Sequence, residues 1–97
     1  MLHGNNINNI NPISVLVALS YLSLSNNYIS DISPLSGLTE LTYLNISKNN
    51  IFDIQVLIDN NGINNNDLIN LSKNPLNSYS IDVLIPILQG RGVTIDF

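Results

Sequence analysis

Very few side chains in this chain are of a type that does chemistry. There is one histidine, His3, and no cysteine, and the carboxylates with matching surroundings are Asp31 and Asp53, in ISDI and IFDI. Two carboxylates in one site can divide acid and base work, or hold a cation. These two, however, recur in the same local context, and a residue imposed by a repeating turn serves local hydrogen bonding. No Ser-His-Asp or Cys-His arrangement can be composed around His3. The chain has no glycine-rich phosphate loop and no His-Glu metal pair, and without cysteine it has neither a disulfide framework nor a thiolate metal site. The expectation is a protein that is not an enzyme, with no catalytic, cofactor-binding or metal residues and no cofactor.

Recognition is the chemistry that remains. Tyr21, Ser23 and Ser25, then Tyr43, Asn45 and Ser47, then Leu68, Asn70 and Ser72, and finally Thr94 and Asp96 occupy alternate positions of short apolar stretches. Alternation of period two puts them on one face of successive strands, opposite the aliphatic residues between them. Tyrosine is enriched at binding hot spots because it supplies large contact area. Lys48 and Lys73 belong at one margin of that face. The protein-binding residues expected from sequence are therefore Tyr21, Ser23, Ser25, Tyr43, Asn45, Ser47, Lys48, Asn70, Ser72 and Lys73. Asn45-Ile46-Ser47 and Asn70-Leu71-Ser72 also fit the glycosylation sequon, read here as chance products of an Asn/Ser-rich repeat.

What positions these residues is an internal repeat. Leu38 to Ile54 reproduces the pattern of Leu16 to Ile32: Leu16/Leu38, Leu19/Leu41, Leu22/Leu44, Leu24/Ile46, Asn27/Asn49, Ile29/Ile51, Asp31/Asp53 and Ile32/Ile54, with Leu35/Leu57 just beyond, all share one offset. That offset and this leucine spacing are those of a leucine-rich repeat. Asn5, Asn27, Asn49 and Asn74 each follow an apolar strand position by three residues. A side-chain amide there, with donors and an acceptor, can pair backbone groups buried between stacked repeats. An unsatisfied group of that kind costs roughly 1–3 kcal/mol, so these four are the expected rungs of a structural ladder.

Taken in order, residues 1–15 form a partial repeat in which Leu2 and Asn5 match Leu24 and Asn27. Residues 16–37 and 38–59 are full repeats, 60–79 an irregular one with three inserted residues, and 80–97 a closing segment. Pro34 fixes its own backbone angle and restrains Ser33, which predicts a 3₁₀ or irregular convex side. Asn61-Gly62 is a turn pair. Ile81, Leu84, Ile85 and Leu88 predict a helix with Ser78 or Ser80 as N-cap, Pro86 inside it and Gly90 or Gly92 at its stop. Val93, Ile95 and Phe97 predict a final strand that caps the stack.

Ninety-seven residues make one domain, 1–97. The net charge of −4, with Lys48, Lys73 and Arg91 as the only lysines and arginines, argues against nucleic acid, whose phosphates are bound through such cations. No basic n-region precedes an apolar run in residues 1–20, and no stretch of about 18 apolar residues predicts membrane insertion.

ISDISPLSGLTELTYLNISKNNI and the ending NPLNSYSIDVLIPILQGRGVTIDF resemble the repeats and closing segment of internalin-like bacterial and archaeal leucine-rich repeat proteins. The resemblance implies an α/β right-handed solenoid with short parallel strands on its concave face, a 3₁₀ or irregular convex side and a C-terminal helix plus strand. It also implies a protein partner taken on the concave β-face, and a place at the cell surface or outside the cell, the cytoplasm being the alternative without it. The alternative expectation is a structural or self-associating fragment of a longer array. The first half-repeat carries Ile7, Ile10 and Ile13 without a charged cap, so a homodimer through the uncapped N-terminal face is a second way of covering it.

Overall fold

The computed structural model describes residues 4–97. Leu2 and His3, the first apolar position of the half-repeat and the only histidine, lie outside the described residues. Four three-residue strands, β1 (Tyr21–Ser23), β2 (Tyr43–Asn45), β3 (Leu68–Asn70) and β4 (Thr94–Asp96), form one parallel sheet in chain order. Tyr21, Tyr43, Leu68 and Thr94 stand in register, as do Leu22, Leu44, Ile69 and Ile95. The chain from β2 to β3 is longer than that from β1 to β2, yet Tyr43 pairs with Leu68 as Tyr21 pairs with Tyr43, so the sheet keeps its register across the insertion. The chain is a leucine-rich-repeat solenoid.

Alternation along each strand sends one row inward. Leu22, Leu24, Leu44, Ile46, Ile69 and Leu71 are buried against the returning residues Ile29, Ile32, Leu35, Ile51, Ile54 and Leu57. Each such side chain contributes roughly 1.5–3 kcal/mol on burial. Neighbouring repeats supply one another's core walls, as a solenoid requires.

The convex side is built by one device used three times. The side-chain carbonyl or carboxylate oxygens of Asn9, Asp31 and Asp53 accept the backbone N–H two residues on, each at 2.9 Å. In the first two turns a proline follows, Pro12 and Pro34, and the backbone makes 3₁₀ segments at Asn11–Val15 and Ser33–Leu35. In the third turn Val56 stands where Pro34 stood. A short α-helix, α1 (Gln55–Asp59), forms there, and the Asn60 N–H reaches the Val56 carbonyl at 3.0 Å. The convex side is thus 3₁₀ in two turns and a single short helix in the third, with no long helix on it among the described residues.

The closing helix departs from expectation. It begins at residue 78, runs through a π-helical turn at Ser80–Leu84 and continues as α2 (Ile85–Gly90). Pro86 has no N–H to give the carbonyl four residues back, and the wider turn falls immediately before it, with the Ile85 N–H on the Ser80 carbonyl. The extra residue rotates the helix face. Ile81, expected in the core, is exposed, and Ser80 is fully buried in its place, its hydroxyl donating to the Phe52 carbonyl and accepting from the Ile54 N–H. Neither Ser78 nor Ser80 caps the helix. Asn77 does, its Oδ1 accepting the Ser80 N–H at 2.8 Å. At the other end Gly92, at φ +89°, completes the stop: Val93 N–H meets the Leu88 carbonyl and Gly92 N–H the Gln89 carbonyl.

Candidate functional site

The asparagine rows hold the face in shape. Asn27, Asn49 and Asn74 sit where each strand turns away. The Asn27 Oδ1 accepts the Ile7 N–H, and its amide donates to the Leu24 and Ser25 carbonyls. Asn49 accepts from Ile29 and donates to Leu24, Ile46 and Ser47. Asn74 accepts from Asn49 and Ile51 and donates to Ile46, Leu71 and Ser72. Each amide thus joins the carbonyls of its own turn to an N–H or a carbonyl of the repeat before. Asn5, the other residue expected in the ladder, is exposed.

A second row was not legible as such. The Asn45 Oδ1 accepts both the N–H and the hydroxyl of Ser47, at 3.1 and 2.7 Å, and Asn70 does the same for Ser72 at 3.0 and 2.8 Å. The Asn-x-Ser triplets read as chance products close the strand ends instead. The clue was their recurrence at equivalent repeat positions.

On the outward face, Tyr21 and Tyr43 stack with ring centroids 4.6 Å apart and planes 15° from parallel. Tyr21 is 57 % exposed, Tyr43 half-buried, and Leu68, next in the row, 47 % exposed. Thr94 and Asp96 are exposed on β4. Asn45, Asn70, Ser25 and Ser72 are half-buried. Ser23 and Ser47 are corrected: both lie in the expected outward row, yet are 8 % and 6 % exposed. Ser47 turns its hydroxyl back onto the Asn45 Oδ1 at 2.7 Å.

Lys48 and Lys73 are exposed and share one conformation, φ +57° and +60°, with Asn26 at +59° in the first repeat. Each directly precedes a ladder asparagine. The left-handed region costs an ordinary residue roughly 1–2 kcal/mol and suits glycine or asparagine, so the turn itself asks for Asn here, as at Asn26. Sequence reading placed the lysines at the margin and missed the backbone geometry, whose signal was the Asn-Asn pair at 26 and 27.

Asp31, Asp53 and Asp59 line one groove on the convex side. Asp31 and Asp53 spend an oxygen on their own turns, and Asp67, buried beneath the sheet end, accepts the Asn64 N–H at 2.9 Å. No group of three His, Cys, Asp or Glu side chains that could hold a metal ion occurs among the described residues. The N–H of Ser33, and then its hydroxyl, hold the Asp31 carboxyl below its ordinary 3.8 against a small opposing effect of burial. A depressed pKa stabilises the fold above 3.8, and that contribution is lost as pH falls through the lower folded value. Asp31→Asn, which keeps the acceptor oxygen, is therefore expected to lose less stability than wild type between pH 5 and pH 2.5. Parallel acid limbs in urea titrations would contradict this origin of the shift.

Two polar residues outside the expected ladder are also structural. Asn60 is fully buried in the place of Leu38 one repeat earlier, and its amide donates to the Leu35 and Leu38 carbonyls at 2.9 and 3.1 Å. Arg91 ties the closing helix to the third repeat, its guanidinium donating to the Ile58 and Ile63 carbonyls. No helix among the described residues is long and apolar enough to cross a membrane.

No protein-family model matches the chain, and no curated protein sequence does. Solved structures do match. An internalin C2 from Listeria monocytogenes is 33 % identical, with a TM-score of 0.76, over 97 % of this chain. An internalin F from the same organism, at 23 % identity and a TM-score of 0.60 over 98 % of the chain, shares the fold. The chain spans 39 % of the length of each.

Proposed function

From an internalin-like leucine-rich-repeat solenoid as premise, we propose that this chain is a non-catalytic recognition module that takes a protein partner on the outward face of its sheet. The observation that carries this reading is the exposed Tyr21–Tyr43 stack continued by Leu68. Large apolar groups left in water on a rigid sheet are candidates for the buried centre of an interface. The core is complete without them, since the strands bury Leu22, Leu44 and Ile69 on the opposite side.

Replacing both rings, Tyr21→Ser with Tyr43→Ser, should lower stability by about 1 kcal/mol, the worth of a stacked aromatic pair beyond area burial. The same double variant should fail to retain a partner that the wild-type chain holds, read by surface plasmon resonance. Full retention by a folded double variant would remove this face from consideration.

One observation favours self-association as a second reading. Val15, Leu16 and Val17 are 75 %, 46 % and 58 % exposed. In the next repeat, Gly37, Thr39 and Glu40 fill the positions equivalent to Val15, Val17 and Ala18 and are exposed although a repeat flanks them on each side. A flanking repeat would therefore leave Val15 and Val17 in water, whereas a second copy packed directly over these residues would cover them. Sedimentation of wild type against Val15→Lys with Val17→Lys tests this; equal monomer mass for both at high concentration would end it.

A further inference from the structure

We infer that Lys48 and Lys73 form a carboxylate-reading pair at one margin of the sheet face, so that the segment this face takes is an acidic peptide. The inference rests on the concave-face reading and specifies its ligand.

The charge distribution is the first ground. The chain carries seven Asp and Glu against three Lys and Arg. Arg91 is committed to two backbone carbonyls, which leaves Lys48 and Lys73 as the lysine and arginine charges free to meet a ligand among the described residues. Both fall on the same margin. Asp31, Asp53 and Asp59 line a groove of about 500 Å³ on the convex side, and Asp67 is buried. The face itself carries one carboxylate, Asp96, on the last strand. A chain that is acidic overall thus offers a paired positive charge past the far end of the strand rows that its exposed tyrosines begin.

Geometry is the second ground. Lys48 and Lys73 hold equivalent places in consecutive repeats, and the Lys48 N–H donates to the Ser72 carbonyl at 2.9 Å, so their backbones are direct neighbours. Equivalent residues on adjacent strands are roughly 5 Å apart, a spacing that two carboxylates on one peptide can match.

Backbone conformation is the third. In a chain with eighteen asparagines, the left-handed position is Asn in the first repeat and Lys in the next two, although lysine is the less suited residue. Folding does not call for lysine there; the charge does. Two free ammonium groups on an acidic chain cannot neutralise a nucleic-acid backbone, whereas they suffice for a pair of Asp or Glu side chains.

The test uses Lys48→Asn with Lys73→Asn, which restores the first repeat's own solution and should leave the melting temperature unchanged or raised. Displayed random dodecapeptides selected on the wild-type chain are expected to be enriched in Asp and Glu. Individual peptides should bind the double variant at least tenfold more weakly and lose affinity as salt rises. Selected peptides without acidic enrichment that lose binding to Tyr43→Ser but not to the lysine variant would overturn the carboxylate assignment and leave the concave face standing. Peptides indifferent to both variants, or no selected peptide at all, would overturn both. Lys48→Arg with Lys73→Arg should keep most of the affinity; loss there as well would show that backbone shape, and not charge, was read.

Discussion

Asn49→Ala is expected to lower the stability of the chain by about 3 kcal/mol, with Asn50→Ala, one residue out of phase, close to neutral. Asn49 is 6 % exposed and makes four hydrogen bonds to backbone, while Asn50 has an exposed side chain. The bonds are not equal. The Leu24 and Ile46 carbonyls also receive the amides of Asn27 and Asn74, and the Ser47 carbonyl receives the Asn26 N–H. Those three acceptors keep a partner when Asn49 is truncated. The Ile29 N–H, held at 3.1 Å by the Asn49 Oδ1, is buried and has no other acceptor among these bonds. Orphaning one buried donor costs roughly 1–3 kcal/mol, and the weakened carbonyls add to it. Urea titrations of the two variants measure the difference. Equal midpoints would mean that the ladder carries no stability.

Gly62→Ala is expected to be of similar size, about 3 kcal/mol, at the upper end of what overpacking costs. The position does not need a left-handed backbone. Its requirement is space, because a Cβ built on Gly62 collides with the backbone carbonyl of Thr39 in the preceding repeat. A main-chain group cannot rotate out of the way as a side chain can, so one of the two repeats must move. The irregular third repeat is already pinned there by Asn60, whose Oδ1 takes the Gly62 N–H while its amide takes the Leu35 and Leu38 carbonyls. Gly37→Ala is the control: no atom lies within 4 Å of the added methyl, and the loss of unfolded-state freedom should stabilise by roughly 0.4–1 kcal/mol. A Gly62→Ala protein that melts with wild type would show that the two repeats are not in contact at this point.

By itself the sequence determined the stack. A regular repeat surrounds each residue with equivalents of itself, so a local pattern decides burial that in other folds depends on distant segments. Leu22 and Leu44, Ile29 and Ile51, and Leu35 and Leu57 are all buried as their shared offset requires. Strand direction, the sheet order and the tyrosine column come from the same alternation. The tertiary structure alone decided the places where chain segments meet off that period. Ser23 and Ser47 alternate outward in sequence, yet both are buried. Ser80 replaces Ile81 in the core because Pro86 withholds one N–H and the helix widens by a residue before it. Asn60 replaces a leucine because two carbonyls of the previous repeat end beside it, and Gly62 is required because Thr39 lies against it. Lys48 and Lys73 were legible as margin residues of the face, whereas the left-handed backbone each adopts before a ladder asparagine was not. Periodicity specifies which face a residue takes, whereas close approach, a missing donor and a left-handed turn depend on distances between atoms that the order of residues does not contain.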